Sequence, residues 1–141
     1  MTLVLDAGPL VALADEREPR RAAVLSLLRF EPGALVVPSP VTAEIDYLLG
    51  ARFGAAAQRA FLEDLARRRY ETAALDGLDH AAALGVDRQY EDLDLGLADI
   101  SVIIVARKID TRRILTFDER HFRAVAPLQG GLFTLLPADA P

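Results

Sequence analysis

The chain has no cysteine, only two histidines, and one lysine among its sixteen basic residues. Without cysteine there is no disulfide framework, no thiolate metal site and no cysteine nucleophile, and the composition fits a cytoplasmic protein. His80 and His121 are too few for a histidine-rich zinc centre. Any metal chemistry must therefore rest on oxygen ligands, which suit Mg²⁺ or Mn²⁺. Long apolar runs are missing too. The densest, Val102 to Ala106, is hemmed by Asp99 and Arg107, far short of the roughly 18–20 apolar residues that cross a bilayer, so no membrane association is expected. The opening Met-Thr-Leu-Val-Leu runs straight into Asp6 and lacks the basic start and cleavage site of a secretory signal. An excess of positive charge is also lacking. A net charge of −5 argues against a passive nucleic-acid binder. It argues less against a nuclease, because carboxylates gathered at a metal site contribute to that sum while bound cations reverse the local field. Arg67 to Arg69 and the pair Arg112 and Arg113 are the densest basic groups, candidates for phosphate contact or ordinary solvated charge.

What is present is apolar and alternating. At 141 residues and 52% hydrophobic, the chain is expected to form one domain over residues 1–141, with an ordered core from about 2 to 135 and a short, frayed C-terminal tail. Leu3 to Leu5 read as a buried strand that stops at Asp6, with Gly8 and Pro9 opening a helix. Pro19 suits the first turn of a second helix, to which Val24, Leu25, Leu27 and Leu28 supply an apolar side. A second strand covers Leu35 to Val37. Ser39 then reads as a hydroxyl cap before Pro40, with Val41, Ile45, Leu48 and Leu49 forming a core face and Gly50 ending the helix. A further helix spans Ala55 to Arg69, with Phe61, Leu62, Leu65 and Ala66 inward. Thr72 to Leu75 suit a strand, and Asp76 or Asp79 caps a helix through Ala81, Ala82 and Leu84. The acidic stretch Tyr90 to Gly96 is loop-like and leads into a helix from Leu97 to Asp110 with Asp99 in its first turn. Arg113 to Leu115 form a strand, Leu132 to Leu135 an edge strand. Short apolar strands alternating with helices indicate an α/β fold with a mostly parallel sheet covered on both faces.

The acids fall where such a fold binds ligands. Asp6 and Asp118 each follow a short strand, and the crevice beyond the carboxyl ends of parallel strands is the usual binding place. Asp99 sits at a helix N-terminus on that same edge. Glu44 lies beside the core face of the helix that follows strand two, a costly place for an unpaired carboxylate. Four carboxylates gathered at one pole repel one another unless protonated or bridged by cations. One or two Mg²⁺ or Mn²⁺ ions among them would activate a water for attack on a phosphodiester and stabilise the leaving oxygen. Each acid also has a plainer reading: Asp6 a turn former or helix cap, Asp99 a partner of the helix dipole, Asp118 a cap of the turn before His121, Glu44 one half of an ion pair with Arg52. Asp94 or Asp92 in the preceding loop would help a second ion, and Ser101 and Thr116 stand in supporting roles, orienting waters or carboxylates. His121 reads as a packing or hydrogen-bonding residue beside Phe122. Asp46, Asp64, Asp76, Asp79, Asp87 and Asp110 read as surface or capping acids.

Three segments carry a family resemblance: Val4 to Leu13 (VLDAGPLVAL), Leu93 to Ser101 (LDLGLADIS) and Ile114 to Phe122 (ILTFDERHF). In order and spacing they resemble the hallmark stretches of PIN domains, above all the VapC-type toxins of toxin–antitoxin pairs, and the likeness runs from Thr2 to about Leu135. The resemblance implies a PIN-like three-layer α/β/α sandwich. It places Asp6, Glu44, Asp99 and Asp118 on the family's metal-binding and catalytic positions, and Thr116 on the hydroxyl of its T-x-D motif. It further implies a Mg²⁺- or Mn²⁺-dependent endoribonuclease acting on structured RNA such as tRNA or rRNA, a homodimer, and a small cognate antitoxin that occludes the site.

Two other classes compete. The same fold without catalysis would be a PIN-like module that binds nucleic acid or protein. A phosphatase or phosphoacceptor domain also sets aspartates at strand ends. A dehalogenase-like nucleophile motif, however, wants a second aspartate where Gly8 stands, and a receiver domain wants a lysine after its last core strand, whereas Lys108 lies inside a helix. Glycine-rich phosphate loops are missing as well.

Overall fold

The structure, a computed structural model, describes residues 2–141. Five strands, β1 (Leu3–Leu5), β2 (Leu35–Pro38), β3 (Glu71–Ala73), β4 (Arg113–Leu115) and β5 (Thr134–Leu136), form one sheet in the order β3-β2-β1-β4-β5. All four pairings are parallel, with Val4 opposite Val36 on one side and Ile114 on the other. Helices α1 (Ala7–Ala12), α2 (Arg21–Phe30), α3 (Ser39–Phe53), α4 (Ala55–Ala66), α5 (Gly77–Gln89), α6 (Leu97–Lys108) and α7 (Glu119–Ala124) connect them. The result is the three-layer α/β/α sandwich with a parallel central sheet that the alternation of apolar segments indicates. The central strands β1 and β4 and the α6 run Ile100–Ala106 are buried throughout apart from the first residue of β4. Among the described residues no helix is long and apolar enough to cross a membrane.

The strand order has one consequence for function. From β1 the chain fills the sheet outward through β2 and β3, then returns to the other flank of β1 with β4 and β5. The direction of winding reverses between β1 and β4, so their carboxyl ends splay apart and leave a crevice. Asp6 follows β1 and Thr116 follows β4 at that point, tied together by the Asp6 N–H donating to the Leu115 carbonyl at 2.9 Å.

Several local expectations are corrected. Ser39 does not cap α3 with its hydroxyl; the cap position is Pro38, and Ser39 and Pro40 are the first helical residues. Gly50 does not end α3. It lies inside the helix, where the side chain of Gln58 packs so closely that a Cβ would meet its Nε2 at 2.5 Å, and the helix ends at Gly54, whose φ of 90° favours glycine. Leu62 and Ala66 face solvent, because α4 lies against α3 and offers Phe61 alone as a fully buried residue. Leu84 is likewise exposed on α5. Pro19 precedes α2 rather than entering its first turn. Leu132 is exposed and β5 begins at Thr134. The tail is held rather than frayed: Asp139 accepts from the Leu135 N–H at 2.8 Å and pairs with Arg123 at 2.6 Å. Asp79 is a capping acid as expected, reciprocally bonded with Asp76, but it is buried and paired with Lys108 at 2.6 Å.

The amino end of β4 is fastened to the end of α2 by a two-pronged pair, Arg113 Nη1 and Nη2 donating to Glu31 Oε1 and Oε2 at 2.9 and 2.7 Å. The Arg113 guanidinium beside Glu31 holds that carboxyl below the usual range. Arg113→Met is expected to cost about 2–3 kcal/mol near neutral pH, less than a fully buried pair because the guanidinium retains partial solvent access. A depressed folded pKa stabilises above the unfolded value and is lost as pH falls through the folded one. Urea titrations should therefore show the wild-type advantage at pH 7 and its loss in acid.

Candidate active site

At the crevice Asp6 is the most buried of the four acids, 7% exposed, because it stands between the buried β1 and α1; its side chain does not cap that helix. The Thr116 hydroxyl donates to Asp6 Oδ2 at 2.7 Å and accepts from the Asp118 N–H at 2.9 Å. One buried side chain thus links the acid after β1 to the acid after β4. Burial pushes the Asp6 carboxyl up; the Thr116 and Ala7 hydrogen bonds oppose the rise, and the charges of Asp99 and Asp118 add to it.

Asp99 occupies the first turn of α6, where its Oδ2 accepts from the Gly96 N–H at 3.3 Å. Burial raises its pKa first and the charge of Asp118 second. Glu44 departs from the expectation of a carboxylate pressed against the core. Val41, Ile45 and Leu49 take the buried stripe of α3, which leaves Glu44 largely in solvent. Its pKa is nonetheless raised, by partial burial and then by Asp6 and Asp99. Asp118 caps α7, accepting from the His121 N–H at 3.0 Å, and its Oδ2 lies 2.8 Å from His121 Nδ1. The four acids therefore share one electrostatic neighbourhood. Among the described residues none of them pairs with an arginine or lysine, and Glu44 makes no ion pair with Arg52.

The supporting residues fare unequally. Thr116 is in contact with Asp6. Ser101 is buried and spends its hydroxyl on the Ala98 carbonyl at 2.6 Å, so it stiffens the start of α6 without touching a carboxylate. Asp94 is exposed in a left-handed conformation after a single 3₁₀ turn at Glu91–Leu93, and it is not among the charges that raise the other acids. His121 gains importance as the partner of Asp118; the D-x-x-H spacing at a helix start was the available signal. Both arginine groups lie at the wrong pole. Arg67 to Arg69 precede β3 and Arg112 and Arg113 stand at the start of β4. Arg112 is occupied with the carbonyls of Gln129 and Gly130, and Arg113 with Glu31.

All four acids offer oxygen donors with no arginine or lysine among the described residues to balance them, a donor set that fits a hard dication. As the side chains stand, no three Asp, Glu or His residues among those described are gathered tightly enough to hold an ion. Like charges without a counter-ion hold one another apart. A carboxylate with a raised folded pKa destabilises the fold while charged. Asp6→Asn is therefore expected to raise Tm in chelator at pH 7 by a few degrees, on the order of 1 kcal/mol. The gain should vanish below the ordinary value of 3.8, where Asp6 is neutral in both states. Calorimetric melting at pH 7 and pH 3.5 checks both arms.

Comparison with known proteins bears on the fold and the family. The family model for the PIN domain matches residues 3–127. The chain is 38% identical over 135 residues to Ribonuclease VapC26 of Mycobacterium tuberculosis, a match spanning 96% of this chain and all of that protein. Among solved structures, VapC20 of M. tuberculosis, described as a Sarcin-Ricin loop cleaving toxin, superposes with a TM-score of 0.77 at 18% identity, covering 84% of this chain and 91% of the other. VapBC2 from Rickettsia felis, bound to a promoter DNA fragment, gives 0.70 at 16% identity over 96% and 98% of the chains. FitAcB from Neisseria gonorrhoeae gives 0.63 at 16% over 94% and 96%. At such identities the structural likenesses speak for the fold. The family match and the near-full-length relative go further: the protein belongs to the PIN domain family and is a homologue of the VapC-type ribonucleases.

Proposed function

We propose that the protein is a Mg²⁺- or Mn²⁺-dependent endoribonuclease and the toxin of a toxin–antitoxin pair. The observation that carries the reading is the set of uncompensated carboxyls at the β1/β4 crevice, three of them with pKa values raised by burial and by one another. Asp6, Glu44, Asp99 and Asp118 would hold the ion. When bound, it supplies Lewis acidity and a lowered pKa for a coordinated water. The chain's own part is positional. Thr116 fixes the rotamer of Asp6 and the backbone of Asp118, and His121 fixes the carboxylate of Asp118. Such neighbours keep ligand oxygens aimed at one point. The reaction is hydrolysis: a water oxygen bonds to phosphorus, the bond from phosphorus to the 3′-oxygen breaks, and the water proton ends on the leaving oxygen.

The kinship with a named ribonuclease and with a toxin that cleaves the Sarcin-Ricin loop supports structured RNA, rRNA or tRNA, as substrate. The likeness to VapBC2 and FitAcB supports a small antitoxin partner, and a homodimer and a cytoplasmic location go with that reading. A second reading, a PIN-like module that binds nucleic acid or protein without cutting, draws on the spacing of the acids, which form no three-residue ligand group as they stand among the described residues. Calorimetric titration with Mn²⁺ separates the two, since the silent module is expected to bind none.

Full-length protein incubated with total tRNA and rRNA is expected to cut only with Mg²⁺ or Mn²⁺ present. Asp6→Asn and Asp99→Asn are each expected to lose about 10²-fold or more in rate, since even partners of metal ligands are worth 10–100-fold. His121→Ala should fall within that smaller range. Cutting in chelator, or by Asp6→Asn at the wild-type rate, overturns the mechanism.

A further inference from the structure

The carboxyl edge of the sheet carries a second feature. A cleft of about 250 Å³ is lined by Arg20, Thr116, Phe117, Glu119, Pro137 and Ala138. Its lining includes Thr116, the side chain that joins Asp6 to Asp118. The cleft and the acids thus share one residue.

The charged side chains of the lining each have a partner. The Arg20 guanidinium carbon stacks 3.7 Å from the centroid of the Phe117 ring, and Phe117 itself packs against Gly8, where a Cβ would come within 3.3 Å of the ring. Arg20 Nε donates to Glu18 Oε1 at 2.6 Å. Both terminal nitrogens of Arg20 are without a protein acceptor among the described residues. Glu119 Oε1 accepts from Arg123 Nε and Nη2 at 3.1 and 2.9 Å, while Oε2 has no donor among those residues. Arg123 is held in turn by Asp139. The lining thus offers a ring-stacked guanidinium with free terminal nitrogens, a carboxylate oxygen, and apolar surface from Phe117, Pro137 and Ala138.

Its chemistry discriminates among the parts of an RNA strand. A phosphate would be repelled by Glu119 and would gain nothing from the apolar walls. A planar base has two apolar faces and a polar edge, and the volume, below the roughly 300 Å³ of drug-sized sites, suits one ring system. Guanine joins two acceptors, O6 and N7, which an arginine reads with two bonds, to an N1–H and 2-amino group that a carboxylate accepts. We propose that this cleft is a nucleobase subsite of the ribonuclease site, with Arg20 and Glu119 selecting guanine next to the bond that is cut. The inference rests on the ribonuclease reading, since the neighbouring acids are what place an RNA strand at this edge.

The test reads binding in chelator, so an inactive enzyme does not obscure it. Fluorescence anisotropy of the full chain is measured with labelled RNA hexamers that are all adenosine except at one central position, occupied by guanosine, inosine, 7-deazaguanosine or adenosine. The guanosine hexamer is expected to bind about tenfold more tightly than the adenosine one, the worth of one good two-bond base contact. Inosine, lacking the 2-amino group, and 7-deazaguanosine, lacking N7, should fall between. Arg20→Ala, Arg20→Lys and Glu119→Gln should each remove most of the guanosine preference while melting within a few degrees of wild type. Equal binding of guanosine and adenosine hexamers by the wild type overturns the proposal. So does a loss in the Arg20 variants that is equal for every hexamer, which would mark a phosphate contact. Failure of the ribonuclease reading shows separately, as absence of metal-dependent cutting.

Discussion

Asp6 stands in the most constrained position of the fold. It follows a fully buried strand, stands just before the helix that leaves it, and is buried itself, yet it faces the charges of Asp99 and Asp118. Its strongest compensation is one neutral hydroxyl, from Thr116. A carboxylate so placed is unfavourable for stability, and natural sequences retain such positions where the charge is used. The arrangement around it follows from that burden: Thr116 aligned between two acids, His121 held on Asp118, Asp99 softened by the N-terminus of α6. The parallel sheet supplies the pole at which these groups meet, because winding reverses at β1 and β4.

Much of this was legible in the chain because strong local rules act there. The apolar triplet ended by Asp6 marks β1 to the residue, Ile114 and Leu115 mark β4 with Thr116 and Phe117 between it and Asp118, and Asp99 in the first turn of α6 follows from helix polarity. The alternation of elements gave the parallel sandwich. What escaped depends on partners remote in sequence. Gly50 reads as a stop but sits under Gln58, and Ser39 reads as a cap but is already helical. Leu62 and Ala66 read as core because their periodicity is correct, though α4 packs chiefly on α3 and buries only Phe61 fully. Glu44 was placed beside the core by the same periodicity, and its neighbourhood with Asp6 and Asp99 depends on how α3 lies across the crevice. No spacing rule announces that Arg20 stacks on Phe117, 97 positions away by sequence number.

The distribution of arginine sharpens how an acidic chain meets RNA. The densest clusters, which invite a phosphate-binding reading, stand at the amino ends of β3 and β4 and include residues committed to structural bonds. At the carboxyl edge the guanidinium of Arg20 is anchored on an aromatic ring and keeps its terminal nitrogens available. A fixed fork loses little freedom on binding. Attraction for a polyanion at this edge would then come from bound cations and a few placed groups, and not from net charge, which is −5.

The central claim, that the carboxyls at the β1/β4 crevice are a metal site, is tested most directly by anomalous diffraction from crystals of the full chain grown with Mn²⁺. The account expects a manganese peak at oxygen-ligand distance, about 2.0–2.2 Å, from Asp6 and at least two of Glu44, Asp99 and Asp118. A map at full manganese concentration with no peak between these side chains, or with peaks only at surface acids elsewhere, would contradict it.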